Sequence, residues 1–515
     1  LTKWVIIALW ASVAGVAAMT VNDWLAVNGA NEATFLRQQE DGRRWTWDIL
    51  QTEVWAWRFA AGIEAEFDHP RRPAFETRGG IYPEGNELVQ RYGRYRDDIF
   101  DVRAGTFDKT FGKGLTLRSY EDRDFDVYQR LDGGVADAHI AFAGRQWGDV
   151  TALWGRNVRD EELQEGSDRV AGGQLTVRPV DFLYLTGSAV QAKVENVSLP
   201  EHPMEDEKLY SGGLGGGWRY FDAYAEYATR AGYNFAAADN SGGHGLYAIL
   251  NGYLPRVSIS GEYKQYEDLA YPYDNPPPVS YDSRMITGAT GLSPGEWGYF
   301  VQATATPLRD LRIRGGYSYA DDVVGEQTEK TQMVKEYFAK LRYDFPGDVD
   351  VVLEPGFEYL ADVLYLGALR SGEMRRIPSA KVSWTPFDDH SFFAKVERER
   401  RMSYTVDEEF IDNRIGGGYT YSSWLGITLD YEDSTERVQE TVDPGDPLAG
   451  IPPVYRMKNN WLWGELRLTW YHELFQNHVL TIGYGSRRGG WVCSSGVCKQ
   501  EAPFSGLRVA LESSF

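Results

Sequence analysis

The chain has 515 residues and a formal net charge of −22, with 43% hydrophobic and 14% aromatic residues, 55 glycines, 17 tryptophans and 32 tyrosines. That acidity excludes nucleic acid as a partner, because phosphates demand a basic surface. Beyond the N-terminus no run of about 18 apolar residues occurs, so no helix crosses a bilayer, and a membrane location would require a closed barrel that pairs every backbone group.

The first residues carry Lys3, an apolar core from Trp4 to Ala11 and small residues through Ala18. This is the pattern of a secretory signal. Residues 1–18 are expected to be removed, leaving 19–515 as the mature protein.

From residue 24 onward, amphipathic strand candidates follow one another. Residues 24–37 make the first. Residues 49–56 and 59–67 form a hairpin about Trp57-Arg58, in which Phe59, Ile63 and Phe67 face one way and Glu64 and Glu66 the other. The unit recurs at 88–107, 135–157 (turn at Gln146-Trp147-Gly148), 170–192, 208–230, 245–265, 297–319, 334–360, 377–400, 414–433 and 461–487. Pro, Gly and Asp mark most of the tight turns, as the turn geometries require.

The other connections, such as 69–87, 268–296 and 436–458, are longer and polar. With the first and last strands the total is about 24 (22–26), and single-chain bacterial barrels need an even number. The expected fold is therefore all-β, a single transmembrane antiparallel up-and-down barrel. Short turns and both termini would lie in the periplasm and long loops outside. A soluble propeller or several sandwiches is the alternative, but a propeller requires a repeated blade motif that this sequence lacks.

The pleat places charged residues opposite apolar ones. Arg312 and Arg314 oppose Leu311 and Ile313; Lys340 and Arg342 oppose Ala339 and Leu341. Lys395 and Glu397 oppose Ala394 and Val396, and Glu465 and Arg467 oppose Leu466 and Leu468. These eight are the candidate lumen lining. Such a wall acts either as a selectivity lining or as an ion-pair network with no transport role.

Twenty-four strands about 4.8 Å apart and tilted about 40° enclose a backbone diameter of roughly 45–50 Å. Something should fill so wide a hole. The best inward-folding candidate is 110–133, with Phe111, Gly112, Gly114, Arg118, Glu121, Asp122 and Arg123; its glycines permit close backbone approach. The proline-stiffened stretch 275–292 is the second. A solvated surface loop is the other reading of both.

Cys493 and Cys498, the only cysteines, are expected to form a disulfide in an exported protein. So short a ring adds only about 2 kcal/mol. The seven histidines are scattered, and no catalytic grouping, metal site or cofactor site can be assembled. In the last strand Leu507, Val509, Leu511 and Phe515 fall on one side, with Ser513 the weak member, and Arg508, Ala510, Glu512 and Ser514 on the other, which resembles the terminal strand of bacterial outer-membrane barrels. It would be the signal that barrel-assembly machinery reads.

Residues 111–123, Leu131-Asp132-Gly133, 275–278 and the 489–498 stretch together resemble an uncharacterised family of bacterial outer-membrane barrels, and the likeness runs along the mature chain. It implies a fold and a location, and no established substrate. The expected function is a porin-like channel or conduit, not an enzyme, in contact with outer-membrane lipid. The alternatives are a sheath around a periplasmic or surface partner, such as a multihaem cytochrome, and a structural or adhesion barrel. The chain has no Cys-x-x-Cys-His motif, so any haem would belong to the partner.

Overall fold

The computed structural model describes residues 24–39, 44–69, 86–122, 127–158, 167–194, 205–231, 242–269, 273, 277, 295–322, 330–346, 350–366, 369–443, 454–472, 476–488, 490–494, 497–501 and 503–514. The expected signal peptide, Arg123, Phe515, most of 275–292 and Gly489 lie outside the described residues.

The wall begins with β1 (Leu25–Gln38), β2 (Arg44–Ala56), β3 (Phe59–His69), β4 (Asn86–Arg96) and β5 (Phe100–Phe107). Four short strands follow: β6 (Lys109–Phe111), β7 (Leu117–Ser119), β8 (Glu121–Asp122) and β9 (Val127–Tyr128). These pair only with one another, β6 with β7 and β8 with β9.

The wall resumes with β10 (Leu131–Phe142), β11 (Arg145–Val158), β12 (Ser167–Val180), β13 (Leu183–Val194), β14 (Glu205–Trp218) and β15 (Phe221–Ala231). Next come β16 (Gly243–Leu254), β17 (Val257–Glu267), β18 (Gly295–Leu308), β19 (Leu311–Asp322), β20 (Lys330–Phe345) and β21 (Asp350–Leu366). Then follow β22 (Leu369–Phe387), β23 (His390–Ser403), β24 (Glu408–Tyr421), β25 (Leu425–Asp443), β26 (Val454–His472) and β27 (Gln476–Arg487). β28 (Gly490–Ser494) and β29 (Val497–Glu501) form a separate ribbon, and β30 (Phe504–Ser514) ends the chain.

Each wall strand runs antiparallel to its neighbours, and β5 passes directly to β10 with Phe107 opposite Leu131. β30 inserts between β27 and β1, with Ser514 opposite Ala30 and Gly506 opposite Gln38. The result is a closed barrel of 24 strands. Closure leaves no wall strand with an open edge.

Three details depart from expectation, one being that β25 runs on to Asp443 and β26 starts at Val454, both inside the expected 436–458 connection. The β10–β11 hairpin reverses at Ala143-Gly144, both in the left-handed region (φ 53° and 76°), and not at 146–148. Two successive positive φ values give the turn twist that matches paired strands, so Trp147 is absorbed into β11. The long connection expected before residue 377 is instead strand: β21 and β22 run on until Leu366 pairs with Leu369. Backbone pairing continues residue by residue through that stretch.

The two faces of the wall are distinguished by chemistry. On one, Ile63, Leu214, Leu250, Val396 and Leu429 are each about half exposed, whereas on the other Glu64, Glu207, Glu226, Glu336, Glu399 and Asp412 are buried. Arg488, just past β27, reaches Asp412 on β24 and Glu436 on β25. Such a chord across several strands exists only on a concave surface, so the charged face is concave and the apolar face convex. Around the short turns the convex face carries an aromatic ring, including Trp57, Phe142, Trp218, Phe387, Trp424 and Trp470.

The short turns are stabilised locally. Asp97, between β4 and β5, accepts hydrogen bonds from the amides of Phe100 (2.7 Å) and Ile99 (2.8 Å) and from the Tyr95 hydroxyl (2.7 Å). The Phe100 amide first, then Tyr95 and Ile99, hold its carboxyl down to about 2. A depressed carboxyl stabilises the fold above its unfolded value near 3.8 and loses that contribution as pH falls through the folded value. Extra amide protection at Phe100, taken as wild type minus Asp97→Ala, should therefore be full at pH 5 and largely gone at pH 2. A pH-independent difference would refute the assignment.

Candidate functional site

The concave face divides into two arcs of different character. The first is covered by the segment between β5 and β10. Phe111, Leu115 and Leu117 are completely buried there. Phe111 and Leu117 pack with Phe107, Leu131, Leu153, Val170, Val190 and Leu209; Leu115 packs with Tyr224, Tyr247, Tyr266 and Val334. Each such side chain contributes roughly 1.5–3 kcal/mol when fully buried.

Polar contacts set the position of this segment. The Lys113 amide donates to Glu226 on β15 (2.8 Å), and Glu226 also accepts from the Tyr224 hydroxyl (2.8 Å). Gly112 has φ 53°, and the place a Cβ would take is filled by the Glu226 carboxylate. The Lys113 ammonium stands 5.7 Å and 5.6 Å from the rings of Tyr224 and Tyr247, within cation–π range. Thr116 meets Ser188 of β13 (2.8 Å), and Lys109 meets Asp137 of β10 (2.6 Å).

The Arg118 amide donates to the carbonyl of Tyr273, whose hydroxyl donates to Asp168 (both 2.7 Å). Pro277, also from the second candidate stretch or its approach, accepts from Tyr266 (3.1 Å). Gly114 donates its amide to Phe111 (2.9 Å), and Arg130 joins Asp108 (3.1 Å), Glu64 (3.5 Å) and Glu121. The side chain of Asp122 is outside the described residues.

The second arc, from β18 to β27, is ionic and open to solvent. Arg314 donates to Gln302 (2.9 Å), Lys340 pairs with Glu358 (2.5 Å), and Arg342 pairs with Asp344 (3.1 Å) and Glu354 (3.3 Å). Arg312 stands opposite Arg342 in the register. Lys395 pairs with Asp430 (2.7 Å) and Glu397 with Arg414 (2.6 Å), while Glu465 lies 3.5 Å from Arg487. Arg467 is exposed on β26, opposite Gly426. Lys340, Arg342, Lys395 and Arg414 keep between 43% and 50% of their side-chain surface exposed.

Toward the long-connection end this arc tightens into a cluster that the sequence reading missed. Arg488 pairs with Asp412 (2.9 Å), Glu432 (3.2 Å) and Glu436 (2.6 Å); Arg414 also reaches Glu399 and Glu432 (both 3.5 Å). Arg375 joins Glu373 and Glu399, and Arg401 joins Glu373 and Glu436. The signal was the period-two charge pattern of 373–375 and 399–401. Assigning part of it to a loop concealed it.

Aromatic side chains on this face lie across glycines of the adjacent strand. The space a Cβ would need at Gly316 is occupied by Phe338, at Gly483 by Trp463 and at Gly215 by Tyr184. Cys493 and Cys498 face each other in the β28–β29 register, though their side chains lie outside the described residues. Leu507, Val509 and Leu511 sit opposite Tyr484, Ile482 and Leu480 of β27.

The packing of the covering segment predicts the effect of shortening one of its anchors. Leu117→Ala should cost about 2–5 kcal/mol locally, as buried leucine truncations do. The amides of Lys113 and Arg118 should then exchange faster with solvent, while those of β24 keep their wild-type rates. Unchanged exchange at Lys113 and Arg118 would show that the segment is held by other means.

Among solved structures, the siderophore receptor PirA from Pseudomonas aeruginosa is similar at 9% identity and a TM-score of 0.44, over 96% of this chain and 80% of that one. The P pilus usher (PapC) translocation pore matches at 9% identity and 0.43, over 95% and 99%. OccK5 (OpdH) of Pseudomonas aeruginosa matches at 12% and 0.39, over 71% and 99%. Likeness at these levels carries no argument about activity. Among curated proteins none matches. A sequence family does match, over residues 21–286, a stretch that contains the covering segment and its contacts on β10 to β17: the chain belongs to the family described as Family of unknown function (DUF6029).

Proposed function

We propose that this protein is a porin-like conduit of the bacterial outer membrane, with a charged lumen narrowed by its own inward-folded segment. The observation that carries the reading is the inverted exposure of the wall. Half-exposed aliphatic side chains on the convex face and buried carboxylates on the concave one are opposite to the arrangement favoured in water. They suit a barrel surrounded by lipid. The convex aromatic ring at the short turns suits the membrane interface. The short turns and termini are then periplasmic and the long connections external.

The two arcs have different roles in this reading. Residues 108–122 seal one side of the bore, while the half-exposed ion pairs of β19 to β27 line the side that remains wet. Fixed charges of both signs there bias which solutes enter. A sheath around a partner protein fits less well, because the apolar part of the concave wall that would grip a guest is covered by the chain itself. No enzymatic step is part of this reading.

Planar-bilayer recording tests the proposal. The full chain should conduct, and replacing residues 109–128 with a short Gly-Ser linker should raise single-channel conductance several-fold. Absence of conductance in both proteins would overturn the conduit reading.

The external ribbon supplies a separate test. Cys493 and Cys498 are expected to be joined in the exported protein, so the unreduced chain should take up no alkylating reagent and the reduced chain two equivalents. Labelling without reduction would show free thiols.

A further inference from the structure

We propose that Arg376, Arg398 and Arg400 form a binding site on the convex face for the phosphorylated headgroup of a membrane lipid. This rests on the reading that the wall spans a membrane. Strand parity determines their direction. Arg375 on β22 and Glu397, Glu399 and Arg401 on β23 make the concave ion pairs, so the residues between them point outward. All three arginines are exposed.

The register brings the three together. Arg376 stands directly opposite Arg400, and Arg398 lies two residues along on the same face. Opposed side chains in an antiparallel pair have Cβ atoms about 5 Å apart, and like charges there repel. On the concave side Arg375 and Arg401 of the same two strands, and Arg414 of the neighbouring β24, each have a carboxylate within 4 Å. On the convex side the three arginines have no ion pair or side-chain hydrogen bond among the described residues. Of the nearby convex carboxylates, Asp433 is engaged by Asn413 (3.0 Å), and Glu409 pairs with none of the three. The repulsion is thus left for an external anion to relieve.

The level of the cluster identifies that anion. Immediately toward the short turns lie Val382, Val396 and Ile415, all strongly exposed, and below them the aromatic ring with Trp384 and Phe387. Arg376 also lies opposite Tyr359, which stacks on Tyr337 with ring centroids 4.5 Å apart. Three guanidinium forks thus border the upper edge of an apolar belt, where a lipid places its phosphates over its acyl chains. Arginine forks match phosphate oxygens in bidentate geometry.

The test uses the full chain inserted in phosphatidylcholine vesicles doped with bisphosphorylated lipid A or with its dephosphorylated form. Lipid retained by the protein is read by native mass spectrometry. Wild type should retain the phosphorylated lipid several-fold over the dephosphorylated one, R376Q/R398Q/R400Q should lose that preference, and the triple lysine variant should keep part of it. Equal retention of the two lipids by wild type, or an unchanged preference in the glutamine variant, overturns the proposal. Saturable binding of inorganic phosphate by detergent-solubilised protein, with no preference between the lipids, replaces the headgroup with a soluble anion and also overturns it. Vesicle flotation is scored first, so failure to insert is seen as failure of the membrane reading itself. If the glutamine variant alone does not insert, the wild-type comparison of the two lipids decides.

Discussion

Backbone pairing is the constraint on which the rest of this structure depends. A strand between two neighbours has every amide and carbonyl engaged, and a strand at an edge does not. Here β30 fits between β27 and β1, so the first and last wall strands close on each other. Antiparallel closure requires an even number of strands, and it brings both ends of the wall to the side of the short turns. Once the ring is shut, alternate side chains are committed to one face or the other. A slip of one residue would carry Glu64, Glu226 and Glu399 to the apolar side.

Two kinds of interaction then divide the concave wall. Under the covering segment the fit is made by apolar packing, with a few directional bonds such as Lys113 to Glu226 to set its position. On the opposite arc charged side chains pair mostly with neighbours on adjacent strands, and many keep nearly half of their surface in solvent. Pairs this exposed contribute little to stability, about 0–1 kcal/mol each. Their consequence is the field they present to the space they enclose.

Most of the wall was readable from period-two alternation, because a strand with two different environments must alternate. The pairs 63/64, 340/341 and 395/396 each assign their face unambiguously. The length of β21, β22 and β25 was not readable, because polar residues continue the pairing beyond the apolar belt and resemble loop composition. The covering segment drew attention through Gly112 and Gly114. That Gly112 lies against Glu226, 114 residues away, has no signature in local sequence. The Arg488 cluster joins β22 to β25 with the residue after β27; the charge alternation of 373–375 and 399–401 was visible, but not that Arg488 closes over it.

The reclining aromatic side chains have a consequence for the barrel's radial clearance. Where Phe338 lies across Gly316 and Trp463 across Gly483, a large ring adds little to the thickness of the wall. Had those glycines carried a Cβ, the rings would be forced upright, each projecting several ångströms toward the axis. The bore along that arc is therefore governed by strand number and tilt, with side-chain bulk a minor term, and its width is encoded as much by missing atoms as by present ones.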